Sequence, residues 1–411
     1  MHVKRGRSHL VCLLSLACLA LADESQLARS VPRFYMYTDR ALDFSWLSSC
    51  EGFAAMRASP YNERLGEVEM YYALKSHSAR THDAAAAHLF YVPVWEVSSM
   101  RLGDCNGTTH AGRMANAASV LRTSMHARRR RFMRGFDHIL VSTGCIEDNL
   151  KLSQRLGPLY REIRAFVVGR DRAYSSYYPD SAGGRCTVEV PYVSNPIITA
   201  RQRLSARRAL SAPRRWLVSF QGSLNVCCDP GKKIRSVVSR LSRGHPSDVL
   251  IEFTPVNLSR HLVHDVHSWT QLYSRQADTM LDSEFCLVPQ GDTEVTSRLY
   301  SAIAAGCIPV VIANRLAGAF AASVPLNQLL LRVEESAFLR KPHELLSRLR
   351  GLAGTERLRR RELLLEHAAD LIYDWSGSRV ASHFLQTAYT GCIAPVRTET
   401  LDLYPPRHPY A

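Results

Sequence analysis

The sequence predicts an α/β fold made of two Rossmann-like domains that face a cleft. Runs of apolar, β-branched and aromatic residues alternate with helical stretches through most of the chain, which is typical of parallel sheets covered by helices. This alternation starts again after a polar, arginine-rich stretch at 199–215. The length of 411 residues also suits about two domains of ordinary size.

The first half of the chain is predicted to form a domain at 23–200. Its strands are expected at 33–37, 88–95, 136–143, 165–169 and 187–193. Helices are expected between the early strands, at 63–78 and 112–134. The stretch at 199–215 follows Pro196 and contains Pro213, so we expect it to connect the two domains.

The second half is predicted to form a domain at 201–395, followed by a tail at 396–411. Its strands are expected at 215–220, 249–253, 284–288 and 308–313. Its helices are expected at 232–241, 270–281, 296–305, 356–368 and 379–389. The last two helices follow the final strand, so they either pack outside the second domain or cross back to the first.

The composition is that of a folded, basic protein. Hydrophobic residues make up 46% of the chain, which excludes a disordered protein and a small disulfide scaffold. Lys and Arg outnumber Asp and Glu by 52 to 37, and the resulting net charge of +15 favours anionic partners. The densest basic run, at 128–131, suits either a solvated helix end or a contact with an acidic acceptor. Nucleic-acid binding is disfavoured, because no aromatic residues are interleaved with the basic ones.

The N-terminus has the pattern of a secretory signal peptide at 1–22. Basic residues precede an apolar run that ends in Ala20-Leu21-Ala22, and these small residues fit a cleavage site. The run at 10–22 has 13 residues, whereas a membrane span needs about 20, so an uncleaved membrane anchor is the less favoured alternative. We therefore expect the protein in the secretory pathway, in the lumen of the Golgi or the endoplasmic reticulum.

The oxidising secretory pathway permits disulfides and N-glycans. Nine cysteines follow the leader, and those of the first half can form two bridges whose pairing stays open: Cys50, Cys105, Cys145 and Cys186. Cys286 and Cys307, in contrast, are expected to be small buried hydrophobic residues. Two sequons predict glycosylation at Asn106 and Asn257.

The segment from 285 to 306 carries the clearest functional signal. An apolar strand is followed by a turn that contains Pro289 and Gly291, and then by a helix that Thr296 or Ser297 can cap. The unpaired N–H groups and the dipole at such a helix start favour a bound anion. The loop is therefore predicted to be an anion site.

Arg298 lies in the first turn of this helix, where the helix dipole disfavours a cation. An anion between the helix start and the guanidinium would remove the conflict, and a diphosphate has the right charge. The alternative interpretation is that Arg298 pairs with Asp292 or Glu294 in the same loop.

A second candidate site follows the strand at 215–220. Gly222 and Ser223 come directly after it, and a glycine in that position lets the backbone approach a ligand closely. Arg235 on the next helix can reach toward the same place. The alternative is that the glycine only marks an ordinary turn.

Together these residues resemble the exostosin family of glycosyltransferases. The most specific match consists of FCLVPQGDT at 285–293, SRLY at 297–300 and AIAAGCIPVVI at 302–312. Looser matches occur in the family's order at 80–83, 87–93, 135–138, 188–191, 215–222, 234–235, Trp375 and 381–384. The resemblance spans about residues 31 to 390.

The resemblance implies a GT-B type glycosyltransferase that moves a sugar from a nucleotide sugar to a glycan or glycoprotein with inversion at the anomeric carbon. It implies that the C-terminal domain binds the donor, usually a UDP-sugar, and that the N-terminal domain binds the acceptor. The donor-site residues that carry over are Gly222, Arg235, Gly291, Asp292, Ser297, Arg298 and Ser301.

Ser301 departs from the family pattern, which usually has an acidic residue here that suits the hydroxyls of the nucleotide ribose. Serine can bind a hydroxyl, but without charge assistance the hydrogen bond is weaker. This departure leaves open an alternative function, that of a catalytically inactive glycan-binding or partner subunit.

Inversion also requires a base that takes the proton of the acceptor hydroxyl. The loops at the strand ends of the N-terminal domain should supply it. The candidates are Asp39, Asp43, Glu96 and His138, with Asp137 beside the last of them. Because Asp137 and His138 lie near the start of a strand, a structural role is favoured for both.

No motif in the sequence requires a cofactor or forms a metal site. Walker, Gly-x-Gly-x-x-Gly and Gly-x-Ser-x-Gly motifs are missing from the sequence, so phosphate-loop ATPases, dehydrogenases and hydrolases gain no support. The resemblance leaves a dependence on Mn²⁺ open, since some exostosin-type enzymes are assayed with divalent cations. The expected partners are the nucleotide sugar and the acceptor, and assembly as a homo-oligomer or with another glycosyltransferase stays open.

Overall fold

The computed structural model describes residues 31–58, 65–124, 137–143, 167–170, 187–205, 210, 213–224, 226, 229–243, 247–254, 266–291, 294–316 and 318–395. Several predicted features lie outside these ranges, namely the signal peptide, the basic run at 128–131, Cys145, Cys186, Asn257, Asp292 and the tail at 396–411. Within the described ranges, no helix has both the length and the apolar character that a membrane span requires.

The N-terminal half contributes six strands. They are β1 (Phe34–Met36), β2 (Arg80–Thr81), β3 (Leu89–Tyr91), β4 (His138–Val141), β5 (Val167–Arg170) and β6 (Thr187–Glu189). The helices around them are α1 (Phe53–Ala58), α2 (Gly66–Lys75), α3 (Glu96–Leu102) and α4 (His110–Thr123), with short 3-10 helices at Phe44–Ser49 and Ala84–Ala86. Every residue of β3 and β4 is buried, as expected for central strands that have helices on both faces.

These strands form one parallel sheet in the order β2-β1-β3-β4-β5-β6. Met36 of β1 lies opposite Tyr91 of β3, and Tyr91 lies opposite Ile139 of β4. The chain passes from β1 outward to β2 and then returns to β3 on the other side of β1. The direction of winding therefore reverses between β1 and β3, and ligands of such sheets bind at the carboxyl ends of the strands that flank the reversal.

The C-terminal half begins with α5 (Pro196–Ser205) and contains five strands. The strands are β7 (Trp216–Ser223), β8 (Val249–Thr254), β9 (Ser283–Pro289), β10 (Ile308–Ile312) and β11 (Leu331–Arg332). Between and after them lie α6 (Asp229–Val238), α7 (Val266–Leu281), α8 (Ser297–Ala304), α9 (Leu326–Leu329), α10 (Glu335–Arg340), α11 (Pro342–Arg350), α12 (Gly354–Glu366), α13 (Ala368–Leu371), α14 (Val380–Thr387) and a π-helical turn at Ala388–Ile393.

The second sheet is also parallel, in the order β11-β10-β9-β7-β8. Its direction of winding reverses between β7 and β9, so the carboxyl ends of these two strands flank its ligand crevice. The predicted α/β class with two Rossmann-like units is confirmed. The two-residue strands β2 and β11 were not predicted, because two residues are too few to give a recognisable pattern.

The chain between the two sheets is anchored to the second half. Asn195 donates from its backbone N–H to Ser301 Oγ at 3.0 Å, and from Nδ2 to the Tyr273 carbonyl oxygen at 2.9 Å and Gln276 Oε1 at 3.0 Å. Thr199 Oγ1 donates to Asp374 Oδ2 at 2.5 Å. The connecting segment therefore packs on α7 and α8 rather than spanning solvent.

The last helices cross back to the first half, which resolves the choice that the sequence left open. Ser382 Oγ of α14 lies 2.9 Å from Nε2 of His77, which follows α2. The Tyr389 ring, in the π-helical turn, lies 5.8 Å from the ring of His88. Helix α14 and the π-helical turn thus hold the two halves together.

Two disulfides join pairs of cysteines that both lie in the described ranges. Cys50 bonds Cys105 in the first half, which agrees with the expectation of bridges there. Cys286 bonds Cys307, so the expectation that these two are only buried hydrophobic residues is wrong. The parallel pairing that puts Cys286 opposite Pro309 also brings it beside Cys307, which precedes β10. The two cysteines are 21 residues apart in the sequence, and the sequence pattern does not show that they come into contact.

Asp370 joins α12, α13 and α14 through one buried carboxylate. It accepts hydrogen bonds from His367 Nδ1 at 2.9 Å, Arg379 Nε at 2.6 Å and His383 Nε2 at 2.7 Å. Burial alone would raise the pKa of Asp370, but the hydrogen bonds from His367, His383 and Arg379 outweigh burial and hold the pKa well below its usual range. The carboxylate is therefore ionised in the folded protein at neutral pH.

Replacing Asp370 with asparagine is expected to destabilise the protein by about 3 kcal/mol at pH 7, because Arg379 then lies beside no anion. A carboxyl group whose pKa is lower in the folded state stabilises that state at pH values above its pKa in the unfolded chain, about 3.9. This stabilisation is lost as the pH falls toward the pKa of the group in the folded protein. Denaturant unfolding should therefore show a difference between parent and Asp370→Asn at pH 7 that shrinks below about pH 4. The exposed Asp104→Asn is the control, and a loss for Asp370→Asn no larger than the control's would contradict the network.

Candidate functional site

Gly222 brings the carboxyl end of β7 against Arg298 at the start of α8. A β-carbon on Gly222 would lie 2.5 Å from Nη2 and 3.2 Å from Cζ of Arg298, so glycine is what leaves room for the guanidinium. Nη2 of Arg298 donates a hydrogen bond to the carbonyl oxygen of Gln221. The structure thus brings together two residues that the family resemblance assigned to one site.

Arg235 on α6 ties the carboxyl end of β7 to that of β9. Its Nε donates to the Gln290 carbonyl oxygen at 3.0 Å, and its Nη1 donates to the Ser223 carbonyl oxygen at 2.5 Å. Gly291 lies against the same group, since a β-carbon there would be 3.0 Å from Nη2. The two strands that flank the reversal of winding therefore meet at Arg235.

Phe220 lies beneath both guanidinium groups, a role that the sequence analysis did not assign. The Cζ atoms of Arg298 and Arg235 lie 4.6 Å and 5.7 Å from the centroid of its ring. The two arginines are 8% and 6% exposed, so their charges are largely removed from water. The sequence feature that could have identified Phe220 is its position two residues before Gly222 at the end of the strand. Two buried cations on one ring suit a doubly charged anion such as a diphosphate.

The start of α8 adds backbone donors beside these arginines. Thr296 caps the helix, and its Oγ1 accepts a hydrogen bond from the Arg298 N–H at 3.3 Å. Ser297 is the first residue of the helix. Gly231 at the start of α6 lets the loop after β9 come close, because a β-carbon there would strike the carbonyl oxygen of Gly291. The N–H groups and dipole of α8 therefore reinforce a preference for an anion.

Ser301 lies one turn further along α8 and binds protein rather than an open pocket. It is 3% exposed, and its Oγ accepts the hydrogen bond from the Asn195 N–H. Tyr300 directly precedes Ser301 in α8. Its ring lies 6.4 Å from the ring of Tyr192, which follows β6. The carboxyl edge of the first sheet and helix α8 of the second half therefore meet here.

Two of the candidate bases follow β1 and form local turns. Asp39 Oδ1 accepts from the Ala41 N–H at 2.8 Å. Asp43 Oδ1 accepts from the Ser45 N–H at 2.9 Å at the start of a 3-10 helix, and its Oδ2 accepts from the Tyr71 hydroxyl at 3.3 Å. These bonds give both carboxylates a structural role at the end of the strand.

His138 is a core residue. Its ring stacks on Phe90, with centroids 5.1 Å apart, and it is 2% exposed. Nδ1 lies 2.9 Å from Asp137 Oδ1, and Nε2 lies 2.9 Å from the Tyr37 hydroxyl. Because both ring nitrogens are engaged inside the sheet, the structure favours the structural role for His138 and Asp137.

Glu96 joins the carboxyl ends of β3 and β4. It begins α3 just after β3, and its Oε2 accepts a hydrogen bond from Ser142 Oγ at 2.6 Å. Ser142 directly follows β4. Because β3 flanks the reversal of winding in the first sheet, Glu96 is the candidate base that borders the ligand crevice of that sheet without forming a turn.

Glu67 lies beside Glu96 and was not identified from the sequence, where nothing distinguishes it from other helical glutamates. It is fully buried and accepts hydrogen bonds from the Ser98 N–H and Oγ, each at 2.7 Å, and from the Val97 N–H at 3.1 Å. Burial raises the pKa of Glu67 to about 8, and the charge of Glu96 adds to the rise. Burial therefore favours the protonated form of Glu67 at neutral pH.

Two solved structures resemble this chain loosely. An α,α-trehalose 6-phosphate synthase from Burkholderia multivorans has a TM-score of 0.35 and 11% identity, and the match covers 90% of this chain and 100% of that one. WaaG, a glycosyltransferase involved in lipopolysaccharide biosynthesis, has a TM-score of 0.35 and 13% identity, with coverage of 81% and 96%. No curated protein sequence is significantly similar to this chain.

The family profile of the Exostosin GT47 domain matches residues 33–349. This match takes in both sheets, the two arginines of the second sheet and Glu96 of the first. The family assignment rests on this match, because both structural overlaps are loose. The chain belongs to the exostosin GT47 family of glycosyltransferases.

Proposed function

We propose that the protein is an inverting glycosyltransferase that moves a sugar from a nucleoside-diphosphate sugar, a UDP-sugar by family likeness, to a glycan or glycoprotein. The observation that carries this proposal is the pair of buried guanidinium groups on Phe220, at the reversal of winding in the second sheet. The carboxyl ends of β7 and β9 are where a nucleotide binds in such a sheet, and two fixed guanidinium groups at that place suit a diphosphate.

Arg235 and Arg298 would act on the leaving group. As the bond between the anomeric carbon and the phosphate oxygen breaks, negative charge grows on the diphosphate. Fixed guanidinium groups and the N–H groups at the start of α8 stabilise that charge more than they stabilise the bound donor. Their hydrogen bonds to backbone carbonyls hold them in place before the substrate arrives.

Glu96 is the proposed base. The acceptor hydroxyl oxygen attacks the anomeric carbon, its proton passes to the Glu96 carboxylate, and the diphosphate leaves with the electron pair of the broken bond. The hydrogen bond from Ser142 orients one carboxylate oxygen. Burial favours the neutral form of Glu67, which does not compete for the proton at neutral pH.

We propose that the diphosphate is held by arginine rather than by a metal ion. Within the described part of the chain, no three His, Cys, Asp or Glu side chains are grouped so that they could bind a metal. The charge of the diphosphate is instead matched by Arg235 and Arg298. Activity is expected to persist in the presence of EDTA, and an absolute requirement for Mn²⁺ would contradict this assignment.

A donor screen tests the proposed function. UDP- and GDP-sugars are combined with a panel of acceptor glycans, with and without Mn²⁺, and both nucleotide release and the transferred sugar are measured. The expected result is transfer from one nucleotide sugar with inversion, seen in the anomeric coupling of the product. The absence of transfer and of nucleotide binding across the panel would instead favour the inactive glycan-binding or partner subunit.

We also propose that the protein matures in the Golgi or endoplasmic reticulum and carries an N-glycan at Asn106. Asn106 is exposed at the tip of the turn between Cys105 and Thr108, with a φ of 50°. Expression in a secretory host should give a band whose apparent mass falls after enzymatic deglycosylation, and Asn106→Gln should reduce this shift by one glycan. An Asn106→Gln protein with an unchanged shift would contradict the assignment.

A further inference from the structure

Helix α3, which begins with the proposed base Glu96, is not capped by its own preceding residue. That residue is Trp95, whose side chain makes no capping hydrogen bond. The first N–H groups of a helix have no partner inside it, and leaving them unpaired in the protein interior is costly. The start of α3 therefore depends on acceptors from elsewhere in the chain.

Glu67 of α2 supplies these acceptors. Its Oε2 accepts from the Val97 N–H at 3.1 Å, and its Oε1 accepts from the N–H and the hydroxyl of Ser98, each at 2.7 Å. Val97 and Ser98 directly follow Glu96 in the first turn of α3. Glu67 is fully buried, so bulk water does not reach these bonds. A side chain 30 residues before Val97 thus fixes the turn that carries the proposed base.

The other end of α3 is held by Arg113 of α4, which is also buried. Its Nη2 donates to the carbonyl oxygens of Ser99 at 2.8 Å and Gly103 at 2.6 Å. A carboxyl group at the start of a helix and a guanidinium at its end are the arrangement that the helix dipole favours. Because α3 has only 7 residues, these contacts with α2 and α4 are what keep it in place.

The Glu96 side chain is held at a second point, by Ser142 after β4, whose Oγ donates to Oε2 at 2.6 Å. Trp95, just before Glu96, packs on α2 as well, since its ring lies 5.3 Å from that of Tyr71. The backbone of Glu96 is thus fixed from α2 and one of its carboxylate oxygens from the end of β4. A shift of the α3 start would move the carboxylate relative to the acceptor hydroxyl, and a displacement of about 1 Å can lower a rate about 10²-fold.

We propose that Glu67 is a positioning residue for sugar transfer, which holds the start of α3 so that the Glu96 carboxylate meets the acceptor hydroxyl. This inference rests on the proposed function, because it takes Glu96 as the base. Glu67 is fully buried and bonded to α3, so it acts through Glu96 rather than on the substrate. The charge of Glu96 raises the pKa of Glu67, which shows that the two carboxyl groups interact. Loss of Glu67 should therefore slow the chemical step and leave donor binding unchanged, since the donor arginines belong to the other sheet.

Steady-state kinetics with the donor and acceptor that the parent uses tests the inference. Glu67→Ala removes all three hydrogen bonds and is expected to lower kcat about 10–10²-fold, with the KM for the donor within about twofold of the parent's. Glu67→Gln keeps an oxygen that can accept both bonds from Ser98, so it should recover most of the activity. Leu74→Ala is the matched control, because it removes a buried side chain of the same helix that makes no hydrogen bond, and its kcat should stay near the parent's. Melting curves identify a temperature at which every variant is folded.

A double-mutant cycle separates positioning from a general loss of stability. If Glu67 acts through Glu96, adding Glu67→Ala to Glu96→Gln should lower kcat no further than Glu96→Gln alone. A further loss as large as that of Glu67→Ala by itself, or a Glu67→Ala kcat no lower than that of Leu74→Ala, overturns the inference and leaves the proposed function intact. A Glu96→Gln enzyme with the parent's kcat overturns the base assignment and this inference, while transfer by the parent still supports a glycosyltransferase. A parent that transfers no sugar overturns the proposed function as well.

Discussion

Replacing Arg298 with alanine is expected to lower kcat/KM by about 10²–10³-fold, the usual effect of removing one charged group from a site that stabilises a leaving group. Arg298 is buried on Phe220 and fixed to the carbonyl oxygen of Gln221. Alanine removes the guanidinium that would face the diphosphate. Steady-state kinetics with varied donor and saturating acceptor measures the effect.

Two further variants define what Arg298 contributes. Arg298→Lys keeps the positive charge but loses the planar fork, so we expect it to recover only part of the activity. Arg240→Ala removes an exposed arginine near the end of α6 and serves as the control. Activity of Arg298→Ala within twofold of this control would contradict the assignment of Arg298 to the diphosphate.

Replacing Glu96 with glutamine is expected to lower kcat by about 10²–10⁴-fold, which is the range for loss of a general base. Glutamine keeps an oxygen that can accept from Ser142, so the carboxyl ends of β3 and β4 should stay joined. Donor affinity should be unchanged, because Glu96 belongs to the first sheet and the donor arginines belong to the second. Steady-state kinetics and nucleotide calorimetry on the same preparation separate the two effects.

The pH dependence distinguishes a base from a merely structural residue. The parent should lose activity in acid as Glu96 is protonated, and Glu96→Gln should show a low rate without that acidic limb. Glu51→Gln, on the exposed surface of the same half, is the control. A Glu96→Gln enzyme that keeps its kcat and its acidic limb would exclude Glu96 as the base.

The residues that we propose bind the donor could largely be identified from the sequence, because their signals are local in it. The apolar strand at 284–288, the glycine of the following loop and Arg298 in the first helical turn lie within about 15 residues and were predicted together. Gly222 and Arg235 were identified from one other strand-to-helix unit, the strand at 215–220 and the helix at 232–241. A parallel sheet brings the ends of such units to one edge, so their convergence follows from the fold class.

The features of the fold and the candidate site that were not predicted depend on contacts between distant parts of the chain. The bond between Ser301 and Asn195 joins residues 106 positions apart, and the disulfide between Cys286 and Cys307 depends on which strands become neighbours. Phe220 looks like any core aromatic until two arginines are seen on its ring. Residue types and periodicity do not encode such pairings, so a pattern in the sequence cannot identify them.

A nucleoside diphosphate is expected to bind where β7 and β9 end. A crystal structure of the protein with UDP and, separately, with GDP tests this binding site. We expect difference density for a diphosphate within hydrogen-bond distance of the Arg235 and Arg298 guanidinium groups and of the N–H groups that begin α8. Density for the nucleotide at the carboxyl edge of the first sheet, beside Glu96, would contradict the binding site proposed for it.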